Sequence, residues 1–343
     1  MRLTLNDLKS ITLGAARVTE ENGRIKINRF TEEEVLFYID RDAKMGRTFS
    51  QRCSATAGIK LNFKTDSKRL KLAAEVSTGG SRTYFSFDIY ENGEPIGYLS
   101  NFRDEELELD YTVQKFPYGK FEGEFILSED SSHIEVYFPW SVTVDDITVE
   151  LDDGAKIEPI KPMRKLLVYG DSITQGYDAA RSAKRYAARL ANFLGAEEFN
   201  KAIGGEIFVP GLVEKKLPFE PDYITVAYGT NDWNSTDGKN FYEDAREFYK
   251  RLSLHYPTAK IFAITPIWRL NYGEEKPLGD FFTVERIIRE VTAELKNVTV
   301  ISGFDFVGHD KMLFADLRLH PRDVGFDEYF ENLAKKIGEE NDK

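Results

Sequence analysis

The hydrophobic period of this chain changes once, and that change limits the folds open to it. From about residue 34 to 152, apolar side chains recur at every second position. Ile59, Leu61 and Phe63 fall on one side, with Lys60, Asn62 and Lys64 on the other. The alternation continues through Leu70 and Leu72, through Phe85, Phe87 and Ile89, through Ile134, Val136 and Phe138, and through Ile147, Val149 and Leu151. Successive strand side chains point to opposite faces, so this pattern predicts strands with one buried face. Asn92-Gly93 separates two such runs and predicts a tight hairpin, because both residues tolerate positive φ. Several short strands joined by turns predict a β-sandwich, jelly-roll-like, over residues 1–155.

Residues 152–164, DDGAKIEPIKPMR, interrupt every period with prolines, a glycine and charges, and read as a linker. From residue 165 strands and helices take turns. Short apolar runs at 166–169, 223–227, 261–264 and 298–301 read as strands. Between and after them, Ala183, Ala187, Leu190 and Leu194 form a helical stripe. So do Phe241, Ala245, Phe248 and Leu252, then Val284, Ile287, Ile288, Val291 and Leu295, then Phe326, Phe330, Leu333 and Ile337. This order predicts a three-layer α/β/α domain with a parallel sheet over residues 165–343, and ligands at the carboxyl ends of its strands.

A length of 343 residues fits two domains. The net charge of −12 comes without a Lys/Arg cluster, which argues against nucleic acid and against an anionic membrane surface. The single cysteine, Cys53, can form neither an internal disulfide nor a zinc site, and reads as a small buried residue at a strand edge. The N-terminus lacks the apolar core of a secretory signal, and no stretch approaches a membrane span. The expectation is a soluble cytoplasmic protein, and assembly into a homo-oligomer is compatible with the sequence.

Four short motifs fall at the strand ends of the second half. The first strand runs into Gly170-Asp171-Ser172-Ile173-Thr174-Gln175-Gly176. A serine just past a strand end can act as a nucleophile, and its backbone N–H can meet a developing oxyanion. Thr174 stands where a GxSxG elbow would have its second glycine, and no Gly-Lys-Ser/Thr of a phosphate loop follows. Next comes Asn200-Lys201-Ala202-Ile203-Gly204-Gly205, where a glycine could bring its N–H close to a substrate. Then Gly229-Thr230-Asn231-Asp232-Trp233 offers the Asn231 side-chain amide. Last, Asp316-Leu317-Arg318-Leu319-His320-Pro321 supplies His320 as a general base, with Asp316 to hold its ring. The other histidines read as structural or solvated: His133 in a strand, His255 at a helix end and His309 in a loop. Asp171, Tyr177, Trp233 and Trp268 are candidate substrate contacts, the aromatics as stacking faces for a sugar. Asp178, which follows Tyr177 after the nucleophile loop, is a further candidate on the substrate side. No His/Asp/Glu cluster has metal-ligand spacing, so neither metal nor cofactor is expected.

In these four motifs, in this order, the sequence resembles the SGNH hydrolases, also called GDSL-like esterases, over about residues 165–340. The resemblance implies Ser172 as nucleophile and His320 as base, with an oxyanion hole from Ser172 N–H, Gly205 N–H and the Asn231 amide. The run FSFDIYENGEPIG and the later HIEVYFPWSVTVDDITVELDDGA are similar to the β-sandwich that precedes this domain in a bidomain group of carbohydrate esterases. That implies removal of small acyl groups, acetyl first, from sugars or oligosaccharides. Three positions depart from the family pattern: three residues rather than two separate Asp316 from His320, Ile173 replaces a leucine, and Ala202 replaces a glycine. The alternatives are a carbohydrate-binding protein whose hydrolase domain no longer reacts, and a lipid or thioester acyl hydrolase.

Overall fold

The structure is a computed structural model that describes residues 1–107, 110–128 and 131–341. The chain begins with helix α1 (Leu5–Ile11), strand β1 (Thr12–Leu13) and a hairpin of β2 (Arg17–Glu21) and β3 (Arg24–Asn28). Helix α2 (Glu32–Met45) and the single turn α3 (Phe49–Arg52) follow. The strand alternation read from about residue 34 is corrected here. Thr31 and Glu34 form a capping box, three glutamates occupy the first turn, and Gly46 ends the helix at φ 62°. These end signals outweigh the local apolar spacing. Cys53 caps the end of α3 rather than a strand edge, and burial pushes its thiol up to about 12.

Strands β4 (Lys60–Thr65), β5 (Arg69–Thr78), β6 (Ser86–Glu91), β7 (Glu94–Ser100), β8 (Gly119–Ile126), β9 (Ser132–Tyr137) and β10 (Val142–Leu151) build two antiparallel sheets. One runs β1-β4-β9-β6-β7 and the other β10-β5-β8. Leu61, Phe63, Leu70, Leu72, Phe87, Ile89, Ile134, Val136, Ile147 and Val149 are fully buried in one core that joins the sheets. Each such side chain contributes about 1.5–3 kcal/mol on leaving water. Asn92 and Gly93 turn the β6–β7 hairpin at φ 53° and 88°. Two expectations change. Asn62 does not face solvent: its amide donates to the Ile160 carbonyl at 2.9 Å and its oxygen meets His133 Nε2 at 2.6 Å. The segment read as linker therefore docks, adding β11 (Ile157–Pro159) to β4. Pro159 is tolerated because it ends an edge strand.

The second half contains β12 (Arg164–Gly170), α4 (Ser172–Gln175), α5 (Tyr186–Phe193), β13 (Ala196–Asn200), β14 (Tyr223–Ala227), α6 (Thr230–Ser235), α7 (Gly238–His255), β15 (Lys260–Ile264), α8 (Thr283–Thr292), β16 (Val298–Ile301) and α9 (Asp323–Asn341). Ala183 lies in a separate 3₁₀ turn before α5, because its N–H is held by Asp88 of the first half at 2.7 Å. The sheet order is β13-β12-β14-β15-β16 and every pair is parallel. Leu166 and Val168 pack with α5 and α9, while Leu167 and Tyr169 pack with α7. β12 is thus apolar on both faces, as a covered parallel strand must be. β13 lies on one side of β12 and β14 on the other, so the connections diverge there and open a crevice at the carboxyl ends. The halves share packing: Tyr84, Phe102, Tyr111 and Trp140 join Leu166, Val168 and Tyr186 in one core. Among the described residues, no helix is long and apolar enough to cross a membrane.

Candidate active site

β12 delivers Ser172 to that crevice. Asp171 caps the short helix α4, its carboxylate accepting the Ile173 N–H at 3.0 Å. Ser172 is therefore the first helical residue, where backbone N–H groups lack intrahelical acceptors. Asp171, read as a substrate contact, is instead buried beneath the serine, and burial pushes its carboxyl up to about 7 against the pull of the Ile173 N–H.

His320 comes from the loop before α9. Its Nε2 lies 2.8 Å from Ser172 Oγ, and its Nδ1 lies 2.7 Å from Asp316 Oδ2. The other oxygen of Asp316 accepts the N–H groups of Arg318, Leu319 and His320 at 3.0, 2.7 and 3.0 Å. The residue added between Asp316 and His320 is absorbed by a left-handed turn, with Leu317 at φ 54° and the Ala315 N–H donating to the His320 carbonyl at 2.8 Å. Burial works to raise the Asp316 carboxyl, but the bond and charge of His320 and the backbone donors hold it well below the usual carboxylate range. An ionised Asp316 accepts a hydrogen bond from Nδ1–H, which keeps the ring proton on Nδ1 and leaves Nε2 bare to accept the Ser172 hydroxyl.

The opposite wall is the loop after β13. Ile203 N–H donates to the Gly170 carbonyl at 3.1 Å and Gly204 N–H to Gln175 Oε1 at 2.9 Å. Arg52, from α3, grips the Gly204 carbonyl. Gly205 follows at φ 83° and is exposed. Among the described residues no acceptor takes the N–H of Ser172 or of Gly205. Asn231, in the first turn of α6, gives one amide hydrogen to the Glu206 carbonyl at 3.0 Å, which orients the side chain and leaves the second hydrogen free.

The aromatic candidates separate. The Tyr177 ring lies against the His320 imidazole, centroids 5.6 Å apart, and against Trp140 at 5.0 Å. Trp233 is fully buried, donating Nε1–H to the Gly279 carbonyl at 2.9 Å, and Trp268 is stacked on His309 at 5.7 Å. Neither tryptophan offers a free face to a sugar, because the folds of α6 and of the loop after β15 turn both inward.

Sequence reasoning missed what the first half contributes. Asp178, fully buried, accepts two bonds from Arg82 at 2.6 and 2.8 Å and one from the Tyr84 hydroxyl at 2.8 Å. Its Oδ2 lies 3.5 Å from His320 Nδ1. Asp178, Asp316 and His320 bring ligand-type atoms within 4.8 Å of one another, yet Arg82, Tyr84 and the imidazole already occupy them as ion-pair and hydrogen-bond partners. Arg82 and Tyr84 sit 96 and 94 positions before Asp178, on a strand approach with no motif, so the sequence carried no signal for them.

Residues 168–327 match the GDSL-like Lipase/Acylhydrolase family. No curated protein matches the chain. Among solved structures, the salicylyl-acyltransferase SsfX3 from a tetracycline biosynthetic pathway aligns with TM-score 0.77 at 16% identity, over 96% of this chain and 94% of that one. A family two carbohydrate esterase from Cellvibrio japonicus aligns with TM-score 0.64 at 16% identity, over 98% and 96%. An acetyl xylan esterase from the rumen bacterium Butyrivibrio proteoclasticus aligns with TM-score 0.61 at 15% identity, over 99% of both chains. The likeness extends over both halves of the fold.

Proposed function

We propose that this chain, whose residues 168–327 are a GDSL-like lipase/acylhydrolase domain, is a serine esterase that removes small acyl groups, acetyl first, from carbohydrate. Residues 165–343 form the reacting domain and residues 1–155 an accessory β-sandwich. The observation that carries the reading is the 2.8 Å approach of Ser172 Oγ to His320 Nε2, backed by Asp316 at 2.7 Å.

Ser172 Oγ attacks the ester carbonyl carbon as its proton passes to His320 Nε2. The carbonyl oxygen takes up the displaced electron pair and is met by the N–H groups of Ser172 and Gly205 and the free amide hydrogen of Asn231. Collapse breaks the bond to the sugar oxygen, which leaves as an alcohol with the proton from His320. Water then repeats the sequence on the acyl-serine, releasing the carboxylic acid and restoring Ser172. Asp316 holds Nδ1–H throughout and stabilises the imidazolium. A reacting pair recessed below the surface, with Ser172 only 5% exposed, favours a small acyl group. The fold neighbours include one named an acetyl xylan esterase and others named family two carbohydrate esterases, which supports a sugar substrate.

The purified chain is expected to hydrolyse 4-nitrophenyl acetate and to release acetate from acetylated oligosaccharides. Ser172→Ala should lower kcat by about 10⁴ or more. Wild-type activity in that variant ends the reading. A chain-length series of esters tests the acyl group, and a preference for eight carbons over two overturns the acetyl assignment.

A further inference from the structure

Three charges crowd one edge of the His320 ring. Asp316 accepts a hydrogen bond from Nδ1–H at 2.7 Å, and Asp178 stands behind it at 3.5 Å, too far to share that bond. Asp178 is completely buried, so water does not screen its charge. Arg82, from the other half of the chain, meets it with a two-bond fork at 2.6 and 2.8 Å. Asp178 adopts φ 72°, a left-handed conformation that costs a non-glycine residue about 1 kcal/mol or more. Its backbone carbonyl accepts the Tyr111 hydroxyl at 2.5 Å, and the next carbonyl, of Ala179, accepts Trp140 Nε1–H at 2.8 Å. Four residues of the first half, Arg82, Tyr84, Tyr111 and Trp140, thus fix where this carboxylate sits.

We propose that Arg82 is a positioning residue that governs the protonation of His320 by neutralising Asp178. This rests on the reading of His320 as general base. An unpaired carboxylate beside Nδ1 favours the imidazolium, and a cation on that carboxylate cancels the effect. With Arg82 in place, one net negative charge, that of Asp316, faces the ring edge. Without it two would, and His320 would hold its proton to higher pH. Other groups facing the ring are Ser172, the Tyr177 phenol and the buried Asp171 carboxyl, which feels the charge of His320. Around Asp178 stand the Tyr84, Tyr111 and Tyr177 phenols, with Arg322 and Asp323 acting on Tyr111. The phenols are raised by burial and stay neutral across the working range. Arg52 acts on the Tyr177 phenol and Arg269 on the Asp171 and Asp316 carboxyls, and Arg82 is the cation hydrogen-bonded to Asp178 itself.

The test is the titration of the His320 ring, followed by NMR on the full chain and assigned by its loss in His320→Gln; with 4 histidines the spectrum is tractable. Arg82→Gln should raise the midpoint by about one pH unit, and Asp178→Asn, which leaves Arg82 unbalanced, should lower it by a similar amount. The double variant should return near the parent value. A role in folding alone gives no such opposition of sign. Arg82→Lys keeps the charge and should keep the midpoint, even if unfolding occurs at lower temperature. Equal or same-direction shifts in the single variants, or a full shift in Arg82→Lys, overturn the proposal. The acid limb of kcat/KM should move with the NMR midpoint. Because the titration needs no turnover, an inactive parent chain would refute the esterase reading and leave the Arg82 result to stand or fall by itself.

Discussion

Replacing Asp316 with asparagine tests the proton path with almost no change of shape. The substitution keeps an oxygen where Oδ1 accepts three backbone N–H groups, and puts an NH₂ group where Oδ2 meets His320 Nδ1. The amide could restore the acceptor toward Nδ1 only by flipping. A flip would point its hydrogens at the three donors of Arg318, Leu319 and His320. At about 1 kcal/mol for each bond lost, that costs roughly 3 kcal/mol, so fewer than about one molecule in a hundred is flipped. The unflipped amide donates to Nδ1 and moves the ring proton to Nε2, where it blocks acceptance from Ser172. The same exchange in a serine-protease triad lowers kcat about 10⁴-fold, equivalent to about 5.5 kcal/mol of barrier. Asp316→Asn should therefore lose about four orders of magnitude in kcat/KM for 4-nitrophenyl acetate, and, lacking the ionised carboxylate, it should melt below the parent at pH 7.

Acid unfolding gives a second readout of this residue. The folded state holds the Asp316 carboxyl below its ordinary value, so its contribution to stability is present above about pH 4 and is lost as pH falls further. The parent should lose that increment on acidification and the asparagine variant should not. A variant within tenfold of parental kcat/KM would refute the assignment of Asp316 as the partner that fixes the imidazole.

Gly205→Ala places a methyl 3.3 Å from the Arg52 guanidinium on a backbone at φ 83°, and kcat/KM should fall tenfold or more with KM little changed, because the oxyanion forms only in the transition state. Arg29→Lys should cost about 2–4 kcal/mol in urea denaturation: the buried guanidinium donates to the carbonyls of Ala55, Asn200, Ala202 and Arg52, and one ammonium cannot replace all four bonds. A loss below about 0.5 kcal/mol would count against that role. Burial pushes the Asp232 carboxyl up to about 8, and its Oδ2 has no partner. Its folded value lies above its unfolded one, so its contribution is full below about pH 4 and disappears as pH rises through 8. Asp232→Asn should gain melting temperature relative to the parent between pH 5 and pH 9, and parallel curves would contradict this.

Much of the fold was legible because local chemistry and tertiary burial agree. Leu61 and Phe63, Ile134 and Val136, and Ile147 and Val149 alternate in the sequence and are buried in the sandwich core. The β/α order of the second half follows from helical stripes such as Phe241 to Leu252, which the structure holds as α7. The errors came where a stronger or more distant partner decided. A capping box at Thr31 and Glu34 overrode apparent alternation, and the side chain of Asn62 drew the expected linker into the sheet. Trp233 and Trp268 showed the same limit: an aromatic beside a motif carries no mark of which way its ring will turn.

The order of the four motifs, each after a strand, was written in the chain, because a serine, a glycine, an amide and a histidine keep their chemistry wherever they stand. What the linear sequence could not hold was distance. Ser172 and His320, 148 positions apart in the numbering, meet because the parallel sheet sets its strand ends along one crevice. Arg82 reaches Asp178 across 96 positions because the two halves share a buried face. Coulomb and hydrogen-bond energies depend on separation in space, and only the packed fold fixes that separation.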